Sequence, residues 1–251
     1  MIPFSRFILI VLVINSLSIN AQSSNSQNSN TLKIADTLKT ISIGKKSIIP
    51  ISLIGLGVLA NHSSFEKKLK IDLRKKVGNT YEFKIDNYLQ FMPIAEVYVA
   101  DAFKIKAKNH WFDQTKYLII SNLISSTITH GLKRITSKTR PNGSPYSFPS
   151  GHTTFAFTNA TILYEEFKES SLILAYSGYA FATTTGAFRM INNKHWLSDV
   201  FVGAGIGILV TELVYHFEPF KIFNPFKKSK NITFIPQIKE KSYGFYFAYQ
   251  F

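Results

Sequence analysis

The chain contains no cysteine in its 251 residues. Disulfides and thiolate metal ligands are therefore excluded. Acidic residues are scarce: 15 Asp and Glu stand against 29 Lys and Arg, a formal charge of +14. That balance favours anionic partners such as nucleic acid, anionic lipid surfaces or phosphorylated substrates. The sequence also lacks any run of basic residues interleaved with aromatics, which a nucleic-acid groove would need, so nucleic acid is set aside. No internal repeat is present. The N-terminal apolar run Phe7–Val13 is short for a membrane span. With Arg6 before it and Ser18-Ile19-Asn20-Ala21 after it, the run reads as a secretory signal peptide over 1–21, cleaved after Ala21. The expected location is thus exported, periplasmic or membrane-associated.

What is present is an apolar, helix-rich body. Hydrophobic residues make up 45% of the chain and the mean hydropathy is +0.05, between an ordinary soluble protein and a polytopic membrane protein. A polar linker is expected over 22–44, because Gln22–Asn30 is almost wholly Ser, Asn and Gln. The expected helical domain covers 45–218. Its first helix is Ser47–Ala60, and the basic segment Phe65–Lys76 follows as a solvated surface piece or a contact for anionic headgroups. The next helices are expected over Tyr88–Lys104 (capped by Asp86 or Asn87), Lys116–Ile135, His152–Phe167, Ser171–Ala187 and Trp196–His216. Glu96 and Asp101 would be costly facing lipid. Glu165 and Glu166 point apart on a helix and read as surface residues. Gly203 and Gly207 permit a close neighbour. The tail, 219–251, is a basic turn region followed by two strands, Ile232–Pro236 and Tyr243–Phe251, expected to form a hairpin.

Chemistry concentrates between Lys133 and Asp199. Cleaving a phosphoester needs preorganised donors around the equatorial oxygens. Lys133, Arg140 and Arg189 can supply them, the arginines in bidentate fashion. Ser150 and Gly151 open a helix, adding a hydroxyl, backbone N–H groups and the positive end of the helix dipole. His195 and Asp199 are four residues apart, hence on one face of a helical turn, so the carboxylate can hold one ring nitrogen and leave the other free to attack. His152, beside the phosphate turn, is placed to protonate the leaving alkoxide. Taken singly, each of these has a blander role as a cap, a surface pair or a helix-terminal charge. Their joint occurrence in this order argues for a site. His62, His110, His130 and His216 lack such company and read as structural.

The pattern Lys133-x6-Arg140-Pro141, Pro149-Ser150-Gly151-His152 and Arg189-x5-His195-x3-Asp199 resembles the type-2 phosphatidic acid phosphatase and vanadium haloperoxidase superfamily. All spacings fit. The departure is Phe188, where that family often has Ser. The resemblance spans about Ser47 to His216. It implies an all-α, six-helix bundle, here with a short C-terminal β-hairpin. It also implies a phosphohistidine on His195, acid catalysis by His152, and no metal. The substrate class is then a phosphomonoester or diphosphate, either a phosphorylated lipid or a small phosphoester; the charge and the basic segment at 65–76 favour a lipid phosphate at a membrane surface. Two other readings share the residues: a vanadate-dependent haloperoxidase, for which vanadate would be the cofactor, and a non-catalytic anion-binding envelope protein. The sequence is compatible with a bundle that spans the membrane and with one that lies in the periplasm.

Overall fold

The computed structural model describes residues 29–225, 232–239 and 242–249; the signal peptide and residues 22–28 of the linker lie outside them. Among the described residues are eight helices: α1 Ser29–Ala60, α2 Ser64–Val77, α3 Asp86–Leu89, α4 Met92–Ala102, α5 Trp111–Thr136, α6 Gly151–Phe167, α7 Leu172–Ile191 and α8 Leu197–Phe217. Strands β1 Ile232–Lys239 and β2 Ser242–Tyr249 pair antiparallel, with Ile232 opposite Tyr249.

Eight helices replace the six expected, for local reasons. The basic segment is itself a helix, α2. Ser63 caps it by accepting from the Glu66 N–H at 3.1 Å, and Arg74, Lys75 and Lys76 complement its C-terminal dipole. Pro93 splits the helix expected over 88–104. A proline has no N–H for the preceding turn, so the chain stops at Leu89 and restarts with Pro93 in the first turn of α4. The polar linker is also shorter than expected. Helix α1 begins at Ser29, and neither Gly nor Pro interrupts it before Gly44.

Helix α6 is the centre. None of its residues is exposed, and α4, α5, α7 and α8 pack around it. Ile162, Leu163 and Phe167 are fully buried among Val202, Ile206 and Val210 of α8. Buried hydroxyls and amides pair with one another: Asn122 and Asn159 exchange bonds at 2.8 and 3.3 Å, and Thr158 donates to Ser125 at 3.1 Å.

The reading of Glu165 and Glu166 as surface residues is overturned, since each is 1% exposed. They do point apart, but α6 is surrounded, so both directions are interior. Glu165 accepts from Lys46 of α1 at 2.6 Å, and Glu166 from Tyr215 at 2.6 Å and from Asn109 at 2.8 Å. Glu212 receives the same Lys46 at 2.8 Å, which pins α1 across the bundle.

Helix α8 meets α6 through glycine. A Cβ on Gly203 would stand 2.8 Å from the Ser150 carbonyl oxygen, and one on Gly207 2.6 Å from that of Thr154. These obstacles are backbone, so they cannot rotate away. Gly207→Ala is expected to force the helices apart and cost about 1–3 kcal/mol. Thermal unfolding of the purified variant checks this, and an unchanged midpoint would refute it.

Candidate active site

The chemistry-bearing residues gather where α5, α6 and α8 present adjoining ends, joined by the loop 137–150. Helix α5 delivers Lys133 in its last turn. Ser137, left-handed at φ 45°, then ends the helix by donating its N–H to the Lys133 carbonyl. The loop turns at Asn142-Gly143, where Gly143 takes φ 91° without strain. The Lys133 ammonium donates to the carbonyls of Tyr146 at 3.0 Å and Ser147 at 3.3 Å, holding the loop to the helix end.

Ser150 is the N-cap of α6. Its hydroxyl accepts from the Thr153 side chain at 2.9 Å, and its N–H donates to the Asp199 carbonyl at 3.0 Å. The N–H of Ser150 is therefore committed to α8, and those of Gly151 and His152 head the helix. A Cβ on Gly151 would lie 3.9 Å from Cε of Lys133, so the turn and the lysine face one another.

His195 and Asp199 pair as expected, with Nδ1 3.3 Å from Oδ2. The reason is different from the one read in the spacing. His195 is not on the helix, which starts at Leu197 after Trp196 as N-cap. Asp199 sits in the first turn and reaches back, accepting from the Trp196 N–H at 2.9 Å, which places the same oxygen before the histidine. That oxygen also accepts from the Ser147 hydroxyl. His195 is 3% exposed and Asp199 fully buried.

Arg189 lies in the last turn of α7, which runs past the expected end at Ala187. Its partner was misread from the sequence. Asp86 is not a helix cap but a buried carboxylate accepting from Arg189 at 2.7 Å and from Asn192 at 3.1 Å. Asn87 stands 3.0 Å from His152 Nε2. Asn192 also bonds both backbone groups of Phe83, and Phe83 packs on Phe188 with ring centres 5.9 Å apart. The family-atypical Phe188 thus helps dock the segment that carries Asp86.

Lys133, Arg140 and Arg189 stand close enough to disfavour one another's charge. Burial, then the charge of Arg140, lowers Lys133 to about 8; burial, then Arg189, lowers Arg140. His152 falls to about 4 through burial and then Arg189, and His195 to about 3 through burial against the pull of Asp199. The Nε atoms of Arg140 and Arg189 are buried without a hydrogen-bond partner. An anion placed here could satisfy the unpaired arginine donors and offset the gathered positive charge.

Lys138, Glu66, Ser147 and Ser198 also build this region and carried no assigned role in the sequence, while Asp86 was read only as a cap. Glu66 and Asp86 lie in other segments, and Lys138, Ser147 and Ser198 stand between or beside the motif residues, where the motifs specify no residue type.

Residues 142–223 match the model of the PAP2 superfamily, a span holding Ser150, His152, Arg189, His195 and Asp199 but neither Lys133 nor Arg140. That stretch, about a third of the chain, is similar to the PAP2 superfamily. The chain is similar to a lipid A 1-phosphatase of Porphyromonas gingivalis, 34% identical over 149 residues. That match covers 57% of this chain and 33% of the relative, so the chain spans about a third of the curated relative's length. The fold is similar to a transmembrane PAP2 type phosphatidylglycerolphosphate phosphatase of Bacillus subtilis. The TM-score there is 0.51 at 18% identity, over 71% of this chain and 99% of the other. LpxE of Aquifex aeolicus aligns with TM-score 0.43 and 23% identity over 60% of this chain and 95% of that one.

Proposed function

We propose that this chain is a membrane-associated phosphatase that removes a phosphate group from a phosphorylated lipid through a phosphohistidine on His195. One observation carries the reading: a buried histidine, held at Nδ1 by Asp199, lies beside a cluster of three cations, two of which, Arg140 and Arg189, have a buried donor without a partner. Nε2 of His195 attacks phosphorus while the bond to the ester oxygen breaks. His152 gives that oxygen a proton and then takes one from the water that hydrolyses the phosphoenzyme. Lys133, Arg140, Arg189, the Ser150 hydroxyl and the N–H groups at Gly151 and His152 hold the equatorial oxygens. The cations fill the place a metal would take, so turnover is expected to survive excess chelator.

The lipid class rests on the surface of the bundle and on the name of the Porphyromonas relative. Ile43–Ala60 of α1 and Leu197–Phe217 of α8 are long and apolar enough to cross a membrane; the first is only 11% buried, whereas α8 is bundle core. Ile49 and Leu59 of α1, Ile119 and Leu123 of α5, and Ile173 of α7 are all exposed. Phosphate release from phosphatidate and from lipid A in mixed micelles, against an aryl phosphate, tests the assignment. A preference for the soluble ester would sink the lipid part, and loss of turnover in chelator the metal-free part.

The depressed His152 sets a pH expectation. With its pKa near 4, His152 is neutral in the empty site at neutral pH. A bound phosphate dianion offsets the cations that lower it and raises the value again. Binding near pH 7 therefore takes up a proton, and affinity falls as pH rises. Calorimetry of phosphate binding in buffers of different ionisation enthalpy measures the uptake; zero uptake would argue against His152 as the acid.

A further inference from the structure

We infer that Glu66 and Lys138 are positioning residues for the reaction, a buried ion pair that fixes the Asp199 carboxylate against His195. The inference rests on the reading of His195 as nucleophile. Lys138 is 7% exposed, and all three of its ammonium protons have an acceptor nearby. Nζ lies 3.1 Å from Asp199 Oδ1, 2.8 Å from the Ser198 hydroxyl and 3.5 Å from Glu66 Oε2. Two aromatic rings flank it, Phe148 at 5.7 Å and Trp196 at 5.5 Å from the ring centres. A cation so enclosed has one geometry.

The consequence falls on Asp199. Its Oδ2 faces His195, Trp196 and Ser147, while its Oδ1 faces Lys138. Holding Oδ1 prevents the carboxylate from turning, so Oδ2 stays before the ring. Glu66 completes the arrangement from α2. It is 2% exposed and accepts from the N–H groups of Ser198 at 2.9 Å and His62 at 3.0 Å, and from the Ser198 hydroxyl. Charges then alternate from Glu66 through Lys138 to Asp199. When phosphorus joins Nε2, the ring gains positive character that Asp199 must stabilise. Lys138 alone would oppose this, and the Glu66 charge offsets that opposition. The signature motifs hold neither residue in a catalytic role, and neither needs to touch substrate.

The test uses the full chain in detergent with Glu66→Gln, Lys138→Met and the double variant. Each single change is expected to lower kcat about 10- to 100-fold, the scale seen when groups that orient catalytic ligands are removed. KM and the Kd for inorganic phosphate should stay within about two-fold, because the phosphate donors are untouched. Glu66→Gln leaves Lys138 paired with Asp199 at 3.1 Å and should change Tm little, whereas Lys138→Met strands the Glu66 and Asp199 carboxylates and lowers Tm; the double variant removes one of those two stranded charges and recovers part of the loss. A positioning role predicts that Tm partly returns in the double variant and kcat does not. Recovery of kcat together with Tm would reduce the pair to scaffolding and overturn the inference. So would an active wild type whose variants all keep its kcat. A wild type that releases no phosphate overturns the phosphatase reading, and this inference with it.

Discussion

His195→Ala is expected to abolish phosphate release, lowering kcat by at least about four orders of magnitude. The magnitude follows from the role. A nucleophile that forms the covalent intermediate has no equivalent substitute: Lys133 is a cation held to two carbonyls, and the Ser147 hydroxyl bonds to Asp199. Binding should survive, because Arg140, Arg189 and the head of α6 are unchanged by the substitution. The variant should therefore bind inorganic phosphate with an affinity near that of the wild type while turning nothing over. Rapid quenching of the wild type with labelled substrate should trap an acid-labile, base-stable phosphoenzyme that His195→Ala lacks. Turnover within ten-fold of wild type, or a phosphoenzyme in the variant, would remove His195 from the role.

Arg189→Ala is expected to be the most damaging of the phosphate-site changes, because it acts on stability as well as chemistry. Asp86 is 1% exposed and depends on Arg189 for its compensating charge. Removing the guanidinium leaves a buried carboxylate with only Asn192, and breaking a buried pair in this way costs about 3–5 kcal/mol. Pairing the change with Asp86→Asn removes the stranded charge and should restore most of the lost stability, read as Tm. Activity should not return, because the bidentate donor is still missing. Asp86→Asn alone is expected to keep the fold and leave Arg189 with more of its charge for phosphate. Thermal unfolding and phosphate release of the three variants separate the two effects. If Arg189→Ala keeps the wild-type Tm, the burial argument fails.

Local pairings in the candidate site were more legible than the scaffold. His195 with Asp199, and Ser150 with Gly151, work through contacts within four residues of one another, and local contacts survive whatever the tertiary arrangement. The reason offered for the first pair still needed correcting, since a first-turn carboxylate reaching back is not the same as two residues sharing a helical face. Less legible were element boundaries, where single residues decide. Pro93 divided one expected helix, and Ser63 started another in a stretch whose charge suggested a plain surface. Burial was least legible. Adjacent glutamates on a helix look exposed until that helix proves to be the centre of the bundle.

By itself the sequence determined the chemistry available: no thiols, an excess of cations, and the motif residues at fixed short spacings. Covalent neighbourhood and helical geometry suffice for that. Only the tertiary structure decided who holds those residues in place. Asp86 reaches Arg189 across 103 positions, Lys138 reaches Asp199 across 61, and Glu66 reaches Ser198 across 132. Such partners are selected by packing, in which a buried charge must find its counter-charge wherever the fold brings one.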